Sequence, residues 1–287
     1  APGGGTAFNG LTANIPTDSL AVGTYTVRAR VRDAAGNWST GIRSATLTVT
    51  WPPFYFSTSG NSNPPGVGGT SDDSDIYFYN SGFSRAVDVS ASPVSVPTSA
   101  NVDGLVRVDN THFYLSFADN VTLPVIGTVQ DEDIVFYNAG TWSVYFDGTA
   151  RGLTSNNNTT AGNLDIDAFD IVGSTIYFST FGNSNPPGVS GTADDADIYA
   201  WNGTAFSRVF DASANGVQGN ANVDGLSLTD ATHFYLSFSG DTTLPVIGAE
   251  QDEDIVRYNA GTWSVYVDGT TLGLTSGNLD IDAIDIP

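Results

Sequence analysis

Short runs of apolar and aromatic residues follow one another along residues 54–287, and each run is bounded by Gly, Asn, Asp or Pro. Runs of this kind between turn-forming residues predict β-strands joined by turns. Helices have no support, because no window combines an apolar rhythm of about 3.6 residues with capping residues at its ends. The hydrophobic pattern therefore predicts an all-β fold.

The strand-like runs also recur at long range, with a period of about 122 residues. GNSNPPGVGGTSDDSDIY at 60–77 returns as GNSNPPGVSGTADDADIY at 182–199, and THFYLSFADNVTLPVIG at 111–127 returns at 232–248. Each long repeat contains a weaker repeat of half its length, so the chain holds four units, marked by Asp75, Asp133, Asp197 and Asp254. The longer middle interval contains the polar stretch 156–160, which we expect to be an exposed loop insertion.

Each unit carries four strand-like runs, which is the strand number of one propeller blade. The chain enters in the middle of a unit, because its first run, 54–58, is of the second strand type, whereas its last run, 279–286, is of the first. If these two runs pair, no long sheet edge stays bare. We therefore predict a four-bladed β-propeller closed by its terminal strands, with an open array or β-solenoid, or a larger ring completed by another chain, as the alternatives.

The segment before the repeats has a different pattern. In its first strand-like run, Tyr25, Val27, Ala29 and Val31 alternate with polar residues that include three arginines, so one face is apolar and the other cationic. Residues 19–50 resemble the last strands of bacterial immunoglobulin-like modules, which implies a partial β-sandwich at 1–50 ahead of the propeller at 51–287. Since about half of such a sandwich is missing, its apolar face needs a cover from upstream sequence, from the propeller, or from strands of a neighbouring molecule.

Composition narrows the classes of function. Cysteine is absent, which excludes disulfides and thiol chemistry. The net charge of −22 argues against nucleic-acid binding and favours cations or basic surfaces as partners. Residues 1–50 carry +2 and the remainder −24, so we expect head-to-tail self-association through the basic N-terminal segment. We expect no membrane insertion, because no apolar run approaches the roughly 20 residues that span a bilayer.

Two sets of repeated aspartates are candidate metal ligands. The first set consists of D-x-D pairs at the start of the third strand type, where residues two apart point to the same face. Their oxygens suit a hard cation such as Ca²⁺, and the alternative is that they cap turns by accepting backbone N–H bonds. The members of this set are Asp73, Asp75, Asp131, Asp133, Asp195, Asp197, Asp252 and Asp254.

The second set lies in the first strand type, which is the innermost of a blade, so its four carboxylates should converge on the axial channel. Its members are Asp103, Asp167, Asp224 and Asp282. Like charges at short range require compensation by an axial cation, bound water or backbone donors. The Asp-Ala steps at 167–168 and 282–283 resemble an element of the hemopexin-like four-bladed propellers, and this resemblance implies ions in the channel. We therefore predict a structural Ca²⁺.

Other chemistry has weaker support. His112 and His233 are one position seen twice, so a structural place at a strand start is favoured over general-base work. No single active site is indicated, because most candidate acids recur in all four units. Two opposed carboxylates, as a glycosidase requires, can arise by chance among 31 acidic residues.

One aromatic position recurs in the outermost strand type. Such flat rings are expected to pack between blades, whereas exposed rings beside polar loops would favour sugar binding, for which Trp201 is a further candidate. The recurring aromatics are Phe83, Trp142, Phe206 and Trp263.

The long repeat, through its elements DDADIY, FSRVFD, NVDGL, DEDIV, GTWSVY and NLDIDA, resembles tandem Asp-rich propeller-like repeats of large bacterial secreted and surface proteins. The resemblance covers residues 54–287 and implies an extracellular or cell-surface location. We expect a non-catalytic structural or adhesive module, in the form of a self-assembling filament or surface-layer subunit. A carbohydrate-binding propeller is the second hypothesis, and a polysaccharide hydrolase is the third.

Overall fold

The computed structural model describes residues 20, 22–154, 163–275 and 277–287. The chain divides into two compact units, Ala1–Trp51 and Pro52–Pro287. The loop insertion expected at 156–160 lies outside the described residues. Among the residues that are described, no helix has the length and apolar character needed to cross a membrane.

The described part of the first unit is an antiparallel hairpin of β1 (Gly23–Ala29) and β2 (Arg43–Val49). Tyr25 faces Leu47 and Val27 faces Ala45, so the alternation in the sequence places apolar side chains together on one face. None of the described residues of this unit is buried. A single hairpin is marginal in water and needs a second layer; the immunoglobulin-like assignment stays a prediction.

The second unit is a four-bladed β-propeller, as the repeats predict, built from four antiparallel sheets of four strands each. From the axis outward, the first blade contains β22 (Ile281–Asp285), β3 (Phe54–Thr58), β4 (Ile76–Tyr79) and β5 (Phe83–Val87). The second contains β6 (Val102–Asp109), β7 (His112–Phe117), β10 (Ile134–Asn138) and β11 (Thr141–Phe146). The third contains β12 (Asp165–Val172), β13 (Thr175–Phe181), β14 (Ile198–Trp201) and β15 (Phe206–Phe210). The fourth contains β16 (Val223–Asp230), β17 (His233–Phe238), β20 (Ile255–Asn259) and β21 (Thr262–Val267).

The ring is closed by its two ends, which confirms the predicted closure. The last strand, β22, pairs antiparallel with β3, with Ile284 opposite Phe56. Beyond the strands, the Ser59 hydroxyl donates to the Asp280 carboxylate at 3.2 Å across a sequence separation of 221 residues. The inner strands β22, β6, β12 and β16 contact one another in this order around the axis.

The blades alternate between two kinds. In the second and fourth blades a small hairpin follows the second strand, formed by β8 (Val121–Leu123) with β9 (Gly127–Val129) and by β18 (Thr242–Leu244) with β19 (Gly248–Glu250). In the first and third blades the Gly- and Pro-rich repeat elements make this connection. Short helices follow three outer strands, namely the 3-10 helices Thr149–Arg151 and Ser213–Asn215 and the one-turn helix α1 (Gly269–Leu272).

Three of the four recurring aromatics of the outer strands, Trp142, Phe206 and Trp263, are buried, and Phe83 is partly buried. Trp142 and Trp263 are only 3% and 4% exposed. The indole N–H of Trp142 donates to the carbonyl of Val94 at 2.9 Å, in the segment that joins the first blade to the second. The indole of Trp263 makes the equivalent bond to the carbonyl of Asn215, at 3.4 Å, after the third blade. These rings therefore pack between blades, as the sequence analysis favours.

Candidate functional site

The inner-strand aspartates meet at one end of the propeller axis. Asp103, Asp167, Asp224 and Asp282 lie near the starts of β6, β12, β16 and β22 and are between 1% and 8% exposed. All four line a single cavity of about 290 Å³. The structure therefore brings the second predicted set together, because the same position of each blade reaches the axis at the same height.

A second layer of polar residues stands two positions earlier in each inner strand. Asn101 and Asn222 occupy this place in the second and fourth blades, where Asp165 and Asp280 occupy it in the third and first. Asn101, Asp165 and Asn222 line the same cavity. The position two residues before the inner aspartate is thus Asn in the second and fourth blades and Asp in the third and first, in line with the alternation of the blades.

Neutral donors hold the inner carboxylates in place, and they differ between the two kinds of blade. In the second blade the Ser116 hydroxyl donates to Oδ1 of Asp103 at 2.9 Å, and in the fourth the Ser237 hydroxyl donates to Oδ1 of Asp224 at 2.8 Å. In the other two blades the donor is an amide from a neighbouring blade, since hydrogen bonding from Asn222 lowers the pKa of Asp167 and hydrogen bonding from Asn101 lowers that of Asp282.

Buried oxygens of the site are left without hydrogen-bond partners among the described residues. Each of these atoms is cut off from water, which makes an unpaired polar oxygen costly. They are Asn101 Oδ1, Asp103 Oδ2, Asp165 Oδ1, Asp167 Oδ2, Asn222 Oδ1 and Asp282 Oδ2.

The carboxyl groups of the cavity also lack compensation for their negative charge. Burial, together with the negative charges of Asp167 and Asp131, raises the pKa of Asp165 to about 10. Burial likewise raises the pKa of Asp167 to about 8 and that of Asp282 to about 7. Desolvation disfavours the charged form of each carboxyl, and neighbouring carboxylates add to the effect. Among the described residues that line the cavity, none is cationic.

The D-x-D pairs of the first predicted set serve the blades themselves. The second aspartate of each pair accepts backbone N–H bonds at the start of the third strand. Asp133 accepts from Gln130 and Gly148, both at 3.0 Å, and Asp254 accepts from Gln251 and Gly269, both at 2.9 Å. Asp197 accepts from Asp194 and from Ala212, while Asp75 accepts from Asp72. These contacts are those of turn-capping residues, and metal binding at these eight positions stays a prediction.

The first aspartate of each pair has a backbone role that the sequence analysis missed. Its carbonyl accepts an N–H bond from the inner strand of the next blade, so four equivalent bonds run around the ring. They join Val102 to Asp73, Ile166 to Asp131, Val223 to Asp195 and Ile281 to Asp252, at 3.3–3.5 Å. No side-chain pattern reports a carbonyl contact of this kind.

Two further acidic clusters occur in the first and third blades, and an arginine already neutralises each one. Asp72, Asp75 and Asp88 form one cluster, in which Arg85 contacts Asp75 at 3.1 Å. The other consists of Asp194, Asp197 and Asp211, with Arg208 at 3.2 Å from both Asp197 and Asp211. Both arginines stand at the same position of the repeated elements FSRAVD and FSRVFD, but the sequence of a strand does not show which acidic residues its arginine contacts.

The two histidines belong to tight turns at the other end of the inner strands. His112 lies 2.9 Å from the Asp109 carboxylate, and His233 lies 2.8 Å from that of Asp230. Both are partly exposed and each neighbours the turn between the first and second strands of its blade. The structure thus places them in equivalent structural positions.

No protein-family model matches this chain, and no curated protein matches it. Among solved structures, the extracellular domain of a one component system from B. thetaiotaomicron matches with a TM-score of 0.31 and 13% identity, over 77% of this chain and 34% of that one. The extracellular domain of a hybrid two component system from the same organism matches with the same TM-score and identity, over 73% of this chain and 33% of that one. The chain thus spans about a third of these structures, and likeness at this level carries no argument about function.

Proposed function

We propose that this chain is a non-catalytic structural or adhesive module of the bacterial cell exterior, which associates with copies of itself and is stabilised by calcium. The observation that carries the proposal is that every blade contributes an equivalent acidic position to the axial cavity. A site assembled in this way holds the four blades together, whereas catalysis requires groups with different tasks. The exterior location rests on the resemblance of the repeats to those of bacterial surface proteins.

The acids outside the cavity also support a structural role. Asp133, Asp197 and Asp254 accept bonds from backbone N–H groups of Gly148, Ala212 and Gly269, which tie the start of the third strand to the segment that follows the fourth strand. Sugar binding through Trp142 and Trp263 has less support, because both indoles are buried and already donate their N–H groups to carbonyls. A sugar-stacking ring must present its face to solvent.

The N-terminal hairpin is the surface that we propose for self-association. Its unit is basic, and it exposes apolar side chains, with Trp38, Val31 and Ile42 at 57%, 51% and 49% exposure. The partner we propose is the propeller of a second copy, which carries a net charge of −24. A contact between two different surfaces continues head to tail unless its rotation closes a ring.

Multi-angle light scattering and electron microscopy test the association. We expect oligomers or filaments at low salt and their dissociation in about 0.5 M NaCl, where screening acts over a few ångströms. The double variant Arg28→Glu, Arg30→Glu should be monomeric, whereas Arg257→Glu, which makes the same type of charge reversal at an exposed position of the propeller strand β20, should associate like the parent. A strict monomer at all salt and calcium concentrations would refute the proposed association.

Calcium stabilisation is tested separately by the melting temperature. A ligand that binds only the folded state at about 100 times its Kd stabilises it by about 2.7 kcal/mol. We therefore expect the melting temperature to rise at millimolar Ca²⁺, and an unchanged value would contradict this part of the proposal.

A further inference from the structure

The acidic residues of the propeller are concentrated at one end of the ring, which we call the acidic end. It is the end at which the inner strands β6, β12, β16 and β22 begin. In the described part of the propeller, every acidic residue lies in a connection or near a strand end on this side, except four in the far part of inner strands. These four are Asp109, Asp170, Asp230 and Asp285. The negative charge of the propeller therefore attracts a basic partner to the acidic end.

Two small hairpins stand at the acidic end, in equivalent places of the second and fourth blades. Asp119 precedes the hairpin of β8 with β9, and Asp241 precedes the hairpin of β18 with β19. Both aspartates are exposed. Each hairpin is therefore bordered by a carboxylate that a cationic side chain of another molecule can reach.

An exposed valine occupies the tip of each of these hairpins. Val125 and Val246 are both 97% exposed, and their φ angles of 72° and 74° are strained for a β-branched residue. The preceding leucines, Leu123 and Leu244, are only 2% exposed and anchor the hairpins in the core. The acidic end thus presents two apolar tips on fixed supports, although Asn or Gly would suit the backbone of each tip better.

The N-terminal hairpin has a surface of complementary charge and shape. In the connection between β1 and β2, a cavity of about 610 Å³ is lined by Val31, Ala34 and Trp38 together with polar residues. An adjoining recess is lined by Arg28 and Arg30, and it includes Trp38 as well. An apolar recess bordered by arginines fits an apolar tip bordered by carboxylates.

We infer that the acidic end of the propeller receives the N-terminal hairpin of a second copy, with Val125 or Val246 packed against Trp38 and the bordering carboxylates facing Arg28 and Arg30. The inference rests on the self-association proposed above and deepens it by naming the surface of the propeller that takes part. The contact joins two different surfaces, so a copy that has donated its hairpin keeps its own acidic end for the next copy.

A matched pair of double variants of the full chain tests the tips. Val125→Asn with Val246→Asn removes both apolar tips and relieves the strained backbone, so this tip variant should fold. Analytical ultracentrifugation at low salt should show self-association weakened about tenfold or more, as expected for loss of a buried anchor. Val108→Asn with Val172→Asn makes the same exchange at the far ends of β6 and β12 and should associate within about twofold of the parent. Equal association of the parent and the tip variant would overturn the inference.

A second pair of double variants tests the charge at the acidic end. Asp119→Asn with Asp241→Asn should weaken association about threefold or more at low salt, and the difference should shrink as salt is added. Asp109→Asn with Asp230→Asn removes the same charge at the other end of the ring and should leave association within about twofold of the parent. An equal loss in both double variants would show that only the net charge matters, which would overturn the assignment to the acidic end.

Mixing two disabled variants tests which surfaces meet. The Arg28→Glu, Arg30→Glu variant keeps its acidic end, and the tip variant keeps its hairpin. At a concentration between the dissociation constants of the parent and the variants, each variant alone should be monomeric. Their mixture should form a 1:1 complex and nothing larger in multi-angle light scattering, because only one productive contact remains. A mixture that stays monomeric under conditions in which the parent associates would overturn the pairing of these two surfaces.

The outcomes separate this inference from the broader proposal. If the parent is monomeric under all conditions, both self-association and the docking surface fail. If the parent and the tip variant associate equally while Arg28→Glu, Arg30→Glu does not associate, the hairpin docks elsewhere on the propeller; the acidic end then fails as the docking surface and self-association stands. Calcium stabilisation is measured by the melting temperature and is independent of these results.

Discussion

Gly104 is the position where one methyl group should disturb the fold most clearly. It lies in β6 opposite Ser116, and a Cβ atom there would overlap the Ser116 hydroxyl and the Phe169 ring, whose Cε1 atom would be 2.7 Å away. Phe169 belongs to the inner strand of the next blade, so Gly104→Ala pushes two blades apart. The variant should also break the bond between Ser116 and Asp103.

The expected magnitude follows from these two effects. Overpacking in a filled core costs roughly 1–3 kcal/mol, and leaving a buried carboxyl oxygen without its hydrogen-bond partner costs roughly 1–3 kcal/mol. Gly104→Ala should therefore destabilise the propeller by about 3–5 kcal/mol, which corresponds to a fall of the melting temperature by roughly 6–20 °C for a unit of this size.

Gly225 provides an internal comparison in the fourth blade. A Cβ atom there would meet the Ser237 hydroxyl in the same way, but its inter-blade neighbour is Ile284, at 3.2 Å or more. Gly225→Ala should therefore cost about 1–3 kcal/mol, mainly through loss of the bond from Ser237 to Asp224, which is less than the cost of Gly104→Ala because the contact with the neighbouring blade is looser. Both are measured by urea denaturation and thermal melting at fixed calcium. A cost below about 0.5 kcal/mol for Gly104→Ala, or the reverse order of the two variants, would refute the close inter-blade packing.

Three further changes test other parts of the propeller. Burial raises the pKa of Asp285 to about 7, so the contribution of the protonated carboxyl to stability is fully present below its ordinary pKa and is lost as the pH rises through 7. Asp285→Asn should therefore stabilise the fold by about 1–3 kcal/mol at pH 8 and by little at pH 4. Thermal melts at both pH values measure this difference. Trp142→Phe removes the donor to Val94 and should cost about 1–3 kcal/mol in urea denaturation, and no change would contradict the inter-blade bond. Val125 is 97% exposed and has a φ of 72°, which is strained for a β-branched residue. Val125→Asn should therefore raise the melting temperature, and a lower melting temperature would contradict the strain.

The blade number and the ring closure could be predicted because both follow from the repeats in the sequence. The four aspartates at equivalent positions count the blades, and the order of strand types at the two ends of the repeat region requires β22 to pair with β3. The convergence of Asp103, Asp167, Asp224 and Asp282 follows from the same logic, since the innermost strand of every blade faces the axis.

The contacts between blades could not be read in this way. The arginine clusters depend on Arg85 reaching Asp75 across neighbouring strands, and the repeat shows the residue types without their register. The orientation of Asp167 by Asn222 joins residues of different blades, and no local pattern encodes such a contact. The hydrogen bonds that the carbonyls of Asp73 and its equivalents accept cannot be predicted from the sequence, because every residue has a carbonyl.

The pairing of β22 with β3 has a consequence for how the chain reaches its native state. The innermost strand of the first blade is formed by residues 281–285, which are synthesised after all the other strands of the propeller. Until they are in place, the inner edge of β3 has no pairing partner in the sheet of β3, β4 and β5. Contacts over such a long separation in sequence slow folding and leave strand edges available to other molecules meanwhile. Completion of the ring is therefore the step at which this protein is most exposed to misassembly.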